Sequence, residues 1–173
     1  MGATGGLTVT TPTDDKIVLT RSFAAPRDLV FDALTKPELL VRWFGARRWN
    51  LTVCEVDLRV GGSWRFVSRG PEDEEMGQRG VYHEVVPPRR LVYTERFDAQ
   101  SYPGESLVTQ VLTELAGSTT LTSTVLYPSR EARDIVMRYP MARGVSQSYT
   151  RLDGVLVLLR RSSAQPTTKE IPQ

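Results

Sequence analysis

Tyr82 and Glu84 are the residues of this sequence whose types and spacing best suit acid–base chemistry. They stand two positions apart in a stretch typical of a β-strand, and side chains two positions apart on a strand point to the same face. A buried carboxylate needs a cationic partner, or else it becomes a candidate site acid. Two interpretations of Glu84 therefore stay open: a structural ion pair with an arginine, or a catalytic group, with Tyr82 or Tyr93 as weaker candidates for that role.

Aromatic side chains are concentrated in parts of the chain that could surround a small molecule. Ligand pockets are mostly apolar with a few placed polar groups, and this sequence supplies both kinds of residue. The same residues would also fill a core that binds nothing, because aromatic groups dominate cores in general. We predict that the ligand-binding residues are Trp43, Trp64, Phe66, Tyr82, Tyr93, Gln110, Met141, Val145, Tyr149 and Leu152.

The sequence has one histidine, His83, and one cysteine, Cys54. This scarcity excludes metal sites and nucleophile–base pairs that depend on several such residues. His83 alternates to the opposite strand face from Glu84, and Cys54 is interpreted as a small buried hydrophobe. The acidic run at 72–75 is interpreted as a solvated hairpin tip. We predict no metal and no cofactor, and we favour a binding protein over an enzyme.

Charge and hydropathy exclude two further kinds of partner. The chain has 22 Lys and Arg against 20 Asp and Glu, and the resulting net charge of +2 is too small to indicate nucleic-acid binding. Its longest apolar run, residues 155–159, is far shorter than the roughly 20 residues of a membrane span. The N-terminus lacks a signal-peptide pattern, so a cytoplasmic protein is expected.

The elements that position these residues follow from changes of hydrophobic period along the chain. Alternation predicts a strand at 17–23, and helical spacing then predicts two short helices at 26–35 and 37–44. Six more strands are predicted at 50–56, 63–69, 79–86, 91–97, 106–115 and 119–127. A helix that begins after Ser129 is interrupted by Pro140, and a long helix with one apolar side follows at 141–161.

The order of these elements predicts an α+β domain at residues 16–161, between disordered tails at 1–15 and 162–173. Short turns join only antiparallel neighbours, so the seven strands form one antiparallel sheet. Sheets twist, and we expect this sheet to curl around the long C-terminal helix, with the two short helices between strands one and two. A helix cannot touch a strongly curved sheet everywhere, so a cavity is expected between them. Exposed sheet edges could support a homodimer.

Motifs in a fixed order, spread over residues 17–160, carry a resemblance to a known family. They are residues 21–26 with Val30, Phe31 and Ala33; Pro37, Glu38, Trp43 and Gly45; Asp57, Gly61, Gly62 and Trp64; Gly80, Tyr82, Glu84, Val85 and 87–91; residues 119–122; and Met141, Gly144 and Leu152. Through them the chain resembles the START-like (SRPBCC) superfamily, whose fold is called helix-grip. Within it the chain is similar to bacterial proteins of the AHSA type, named after the activator of a heat-shock chaperone's ATPase. One departure is Val145, where the family usually carries Trp, and we expect it to enlarge the cavity or to suit a different ligand.

The resemblance implies binding of a small, largely hydrophobic or aromatic molecule between the curved sheet and the C-terminal helix. Three alternatives stay open: a polyketide cyclase or aromatase using the same cavity, antibiotic self-resistance by sequestering a toxic natural product, and activation of a chaperone ATPase. The chaperone role is disfavoured, because such activators are expected to carry an additional N-terminal domain.

Overall fold

An antiparallel sheet of eight strands with four helices makes up residues 5–164, the part of the chain that the computed structural model describes. The strand order across the sheet is β1-β2-β8-β7-β6-β5-β4-β3. The strands are β1 (Thr8–Thr10), β2 (Lys16–Phe23), β3 (Asn50–Val56), β4 (Ser63–Arg69), β5 (Glu75–Val86), β6 (Arg90–Phe97), β7 (Ser106–Leu115) and β8 (Ser118–Leu126). The helices are α1 (Arg27–Thr35), α2 (Pro37–Trp43), α3 (Arg130–Met137) and α4 (Met141–Ala164). The helix-grip fold predicted from the sequence is confirmed.

The strand count is eight rather than the predicted seven, because β1 forms inside the segment expected to be a disordered tail. Val9 of β1 lies opposite Leu19 of β2, and the three residues of β1 pair along the outer edge of β2. Flanking threonines are β-branched and suit a strand, and pairing gives partners to backbone groups that an edge would otherwise expose. The C-terminal helix continues to Ala164 instead of ending at 161. The remaining tail predictions, for 1–4 and 165–173, lie outside the described residues.

Strict alternation on the strands decides which side chains face the helices. The buried positions of β2 alternate with half-buried ones, and those of β8 and β7 do the same. Most inward positions are apolar, as the period-2 pattern predicts. On these three strands the exceptions are the buried polar side chains Arg21, Ser106, Gln110, Thr119 and Ser123.

Helix α4 contributes Tyr149, Leu152, Val155 and Leu156 to the main core, which also includes α1, α2 and the strands from β2 to β8. A smaller apolar cluster lies around Tyr102 and Tyr127, which follow β6 and β8. None of the helices in residues 5–164 has both the length and the apolar character needed to cross a membrane.

An ion pair attaches α4 to the sheet at β2. The guanidinium of Arg21, on the inner face of β2, binds Asp153 of α4 through both carboxylate oxygens, with Nη1–Oδ1 at 3.1 Å. The side chain of Arg21 is only 9% exposed, and that of Asp153 is 28% exposed. Arg21 also lies 4.7 Å from the ring centre of Phe23, a cation–π distance. The pair therefore fixes the rotation of α4 relative to β2.

Strand β5 contains a bulge that changes the direction of its side chains. Tyr82 lies opposite Tyr93, but Glu84 lies opposite Val92, so β5 has one residue more than β6 between these two pairs. A bulge of this kind reverses the alternation that follows it. Tyr82 is buried on the inner face while Glu84 is exposed, and Val85 again packs against the core.

Candidate functional site

A partly open cavity of about 60 Å³ lies between the α1–α2 helices and the inner face of strands β4 to β7. Six of its lining residues are aromatic, three are leucines and three are polar. They are Trp43, Phe44, Trp64, Phe66, Tyr82 and Tyr93; Leu34, Leu40 and Leu91; and Gln78, Glu95 and Gln110. This combination of an apolar wall with a few polar groups is typical of ligand pockets.

The aromatic rings form a continuous chain along the cavity wall. Ring centres are 6.0 Å apart between Tyr82 and Tyr93 and 5.6 Å apart between Tyr93 and Trp64. The chain continues through Phe66 at 4.9 Å from Trp64 and Phe44 at 5.1 Å from Phe66. Edge-to-face and tilted contacts at these distances are favourable and hold the rings in fixed orientations. The wall is therefore rigid on the sheet side.

Trp64 carries a buried hydrogen-bond donor with no partner among residues 5–164. The side chain is 4% exposed, and its indole Nε1 is one of three buried polar atoms of the described chain that lack a partner. Trp43, the other cavity tryptophan, donates its indole N–H to the backbone oxygen of Ala33 at 2.9 Å. Leaving a buried donor unpaired is costly, so a water or a ligand that accepted a hydrogen bond from the Trp64 N–H would remove that cost.

Glu95 places a carboxyl group in this cavity without an ion-pair partner in the described chain. It follows Tyr93 by two positions on the inner face of β6 and lies opposite Ser106 of β7. Burial raises the pKa of Glu95 from 4.5 to about 7. The ordinary pKa of Glu depends on water that hydrates the charged carboxylate, and little water reaches the carboxylate at this site. Glu95 thus exchanges a proton near neutral pH.

Tyrosines surround Glu95 on several sides. Burial raises the pKa of Tyr93 well above its usual value, and the negative charge of Glu95 adds to the shift. The same two causes, in the same order, raise the pKa values of Tyr102 and Tyr127. These phenols stay neutral at physiological pH.

Gln110 is held by a buried contact across the sheet. Its Nε2 donates to Ser123 Oγ of β8 at 3.4 Å, and the residue is 9% exposed. With Nε2 used in this way, the carbonyl oxygen of the amide is left as an acceptor at the cavity wall.

Six of the ten predicted ligand-binding residues line the cavity: Trp43, Trp64, Phe66, Tyr82, Tyr93 and Gln110. The four on α4 do not. Tyr149 packs against Phe23 and Trp43, with ring centres 5.4 and 6.2 Å away, and Leu152 is fully buried in the core. Met141 and Val145 are partly buried and pack against the smaller apolar cluster. The cavity wall that was expected from α4 is provided by α1 and α2, because Trp43 lies between Tyr149 and the cavity.

Glu84 lies outside the cavity, and the expectation that it shares a face with Tyr82 is wrong because of the β5 bulge. Its carboxylate accepts a hydrogen bond from Arg90 Nε at 2.8 Å, and its side chain is 50% exposed. Glu84 therefore forms an ion pair with an arginine, which is the first of the two interpretations, but the pair lies on the solvent side of the sheet.

Sequence reasoning missed Glu95, Gln78, Phe44 and the three leucines. Glu95 has the same spacing from Tyr93 that Glu84 has from Tyr82, so the alternation argument could have found it. Within residues 5–164 there is no group of three or more His, Cys, Asp or Glu residues that could hold a metal ion.

A second, wider groove of about 540 Å³ runs beside α1, lined by residues that include Phe31, Asp32, Leu58 and Pro88. Asp32 is paired with Lys36 at 3.0 Å. None of the residues lining this groove has a buried polar atom without a partner in the described chain. The smaller cavity is therefore the better candidate site.

Comparisons with known proteins agree with the fold. The family model described as "Activator of Hsp90 ATPase homolog 1-like protein" matches residues 24–157. A crystal structure of a protein from Rhodobacter sphaeroides is 34% identical with a TM-score of 0.84, over 89% of this chain and 99% of that chain. A protein from Nitrosomonas europaea is 27% identical with a TM-score of 0.74, over 86% and 99% of the two chains. None of the curated proteins matches.

A more distant likeness is to a crystal structure of an HSP90 activator from Plasmodium falciparum. It is 23% identical with a TM-score of 0.52, over 66% of this chain and 74% of that chain. At this identity the likeness concerns the fold alone.

Proposed function

The chain belongs to the family of Activator of Hsp90 ATPase homolog 1-like proteins, and from this membership and its cavity we propose that it binds a small, largely hydrophobic ligand through a polar head. The family and the helix-grip fold support a ligand-binding domain in the broad sense. The lining residues support the finer statement, because they combine six aromatic rings with three polar side chains.

One observation carries the proposal: Trp64 is a lining residue of the cavity, and its buried indole N–H has no acceptor within residues 5–164. A side chain that served only the core would be expected to have its polar atom satisfied, as Trp43 does. An acceptor on a ligand would remove this cost, and that gain adds to the apolar contacts with the rings.

The size of the cavity limits the part of the ligand that enters it. Pockets for drug-sized molecules measure roughly 300–1,000 Å³, and this cavity of about 60 Å³ is much smaller. A head of a few non-hydrogen atoms fits, and the rest of a longer ligand would extend through the open side. We therefore expect weak binding of fragments and tighter binding of ligands that also cover the opening.

Substitution of Trp64 by Phe tests the proposal, because it keeps an aromatic ring and removes the N–H together with part of the indole. Ligands with an acceptor, found by NMR titration of a fragment collection, should bind Trp64→Phe roughly tenfold more weakly. Trp49→Phe is the matched control, since Trp49 does not line the cavity, and its affinities should equal those of the wild type. Equal affinities in all three proteins, or no ligand that shifts the resonances of the cavity residues, would contradict the proposal.

A second candidate function is acid–base catalysis on a small substrate, and the environment of Glu95 favours it. A general acid or base works best when its pKa lies near the working pH, and Glu95 has a pKa of about 7. If the cavity is catalytic, Glu95→Gln will lose turnover of a substrate that it still binds. Glu84→Gln, which removes an exposed carboxylate, will retain turnover.

A further inference from the structure

The charge inside the cavity is one-sided. Glu95 is its one ionisable carboxyl group, and neither Lys, Arg nor His is among its twelve lining residues. The faces of aromatic rings carry negative partial charge, so the six rings add to the field of the carboxylate rather than oppose it. A cavity of this kind repels anions.

No basic group of the described chain compensates Glu95 from the neighbouring elements. Tyr93 on its own strand, Tyr102 after β6 and Tyr127 after β8 are the titratable side chains whose pKa values respond to its charge. Arg21, the buried arginine on the inner face of β2, already binds Asp153. Within residues 5–164, Glu95 therefore has no countercharge, and a bound ligand could supply one.

We propose that the cavity selects a small organic cation, a protonated amine or a methylated ammonium head, over neutral and anionic molecules of the same size. This inference rests on the proposed function and adds the charge of the ligand to it. The ammonium group pairs with the Glu95 carboxylate, while its alkyl carbons pack on the aromatic wall, where cation–π attraction favours the same charge. An acceptor next to the ammonium group, as in an amino alcohol, would also serve the Trp64 N–H.

The charge state of Glu95 makes this binding depend on pH. A cation binds the ionised carboxylate, and below pH 7 part of the protein carries the neutral acid. The affinity is therefore expected to rise from about pH 5.5 to about pH 8 and to change little above that. Alkylammonium ions and the three neighbouring tyrosines keep their charge states over this range, so Glu95 is the group that titrates.

A charge series of matched size provides the test: propylammonium, 1-propanol and propionate, each titrated while the NMR signal of the Trp64 indole N–H is followed. In the wild type at about pH 8, propylammonium should bind at least about tenfold more tightly than 1-propanol. Propionate should not bind. Glu95→Gln should remove most of the preference for propylammonium over 1-propanol, leaving the cation–π contribution of the rings, and should remove the pH dependence.

Two controls separate the possible results. Glu84→Gln removes an exposed carboxylate and should leave all affinities unchanged, which excludes general attraction of cations to the surface. The titrations of the three small molecules with the wild-type protein test the inference even if Glu95→Gln fails to fold. Equal binding of propylammonium and 1-propanol would overturn the cation inference while leaving ligand binding intact. Binding of none of the three, nor of any larger fragment, would overturn the proposed function as well.

Discussion

Glu84 and Glu95 are both carboxylates two positions after a cavity tyrosine, yet they have opposite environments. Glu84 is half exposed and bound to Arg90, whereas Glu95 lines the cavity and has no cationic partner among residues 5–164. The difference arises from one extra residue in β5, which turns Glu84 outward. The residue types in β5 do not predict this bulge, because His83, which lies at the bulge, is equally compatible with a regular strand. Alternation alone thus favoured Glu84 as the carboxylate beside a tyrosine on the inner face, whereas the structure places Glu95 there.

The raised pKa of Glu95 predicts a specific dependence of stability on pH. Its folded value of about 7 exceeds the ordinary value of 4.5, so between these pH values the native state binds more protons than the unfolded state. The free energy of unfolding contributed by this group therefore falls as pH rises through that window. Relative to the wild type, Glu95→Gln should gain roughly 1–3 kcal/mol of stability between about pH 4.5 and about pH 8.

Urea unfolding of both proteins at several pH values measures this gain. Glu84→Gln serves as the control and should follow the wild-type curve. A constant difference between Glu95→Gln and the wild type across the window would show that the folded protein does not retain the proton on Glu95.

At the scale of elements, the bulge makes β5 tolerant of one particular deletion. Removing His83 would restore regular alternation: Tyr82 still faces Tyr93, Glu84 still faces Val92, and the turn to β6 is unchanged. We expect this deletion to alter the free energy of unfolding by less than about 1 kcal/mol. Thermal or urea unfolding of the purified variant gives the value.

Deletion of Val81 from the same strand is the matched comparison. Val81 is exposed, but its loss shifts the residues on one side of it by one position and turns Tyr82 away from the core. A destabilisation of about 3 kcal/mol or more is expected, as for the loss of a large core side chain. If both deletions were equally harmful, His83 would not be the extra residue of the bulge.

At the scale of the whole molecule, the Arg21–Asp153 pair determines how α4 lies on the sheet. Asp153→Asn leaves the guanidinium of Arg21, 9% exposed, without its countercharge. We expect this change to cost about 2–4 kcal/mol, because a buried unpaired charge is penalised more than the pair is worth. The double variant Arg21→Met with Asp153→Leu should cost less than Asp153→Asn alone. Urea unfolding of the three proteins decides this, and a double variant at least as unstable as the single one would contradict it.

The overall architecture could be predicted because period and turn chemistry act locally. The apolar stripe of α4 specifies which of its side chains are buried, and the structure agrees. Residues 106–115 are a strand as predicted, but their sequence does not specify the buried face, which includes Ser106 and Gln110. These patterns do not specify which element a buried side chain meets. Tyr149 and Leu152 are buried as expected, but α2 lies between α4 and the cavity. The edge strand β1 also escaped prediction, since its three residues gain their structure from β2 rather than from their own pattern.

The environment of Trp64 also determines the fluorescence of this residue. An indole in an apolar wall, with its N–H free of any partner in residues 5–164, emits at shorter wavelength than a hydrated one. A ligand that accepts this N–H, or a change in the charge of Glu95 nearby, alters the field across the ring and shifts its emission. With Trp43 and Trp49 replaced by Phe, the chain would therefore contain its own optical reporter for the occupancy of the cavity.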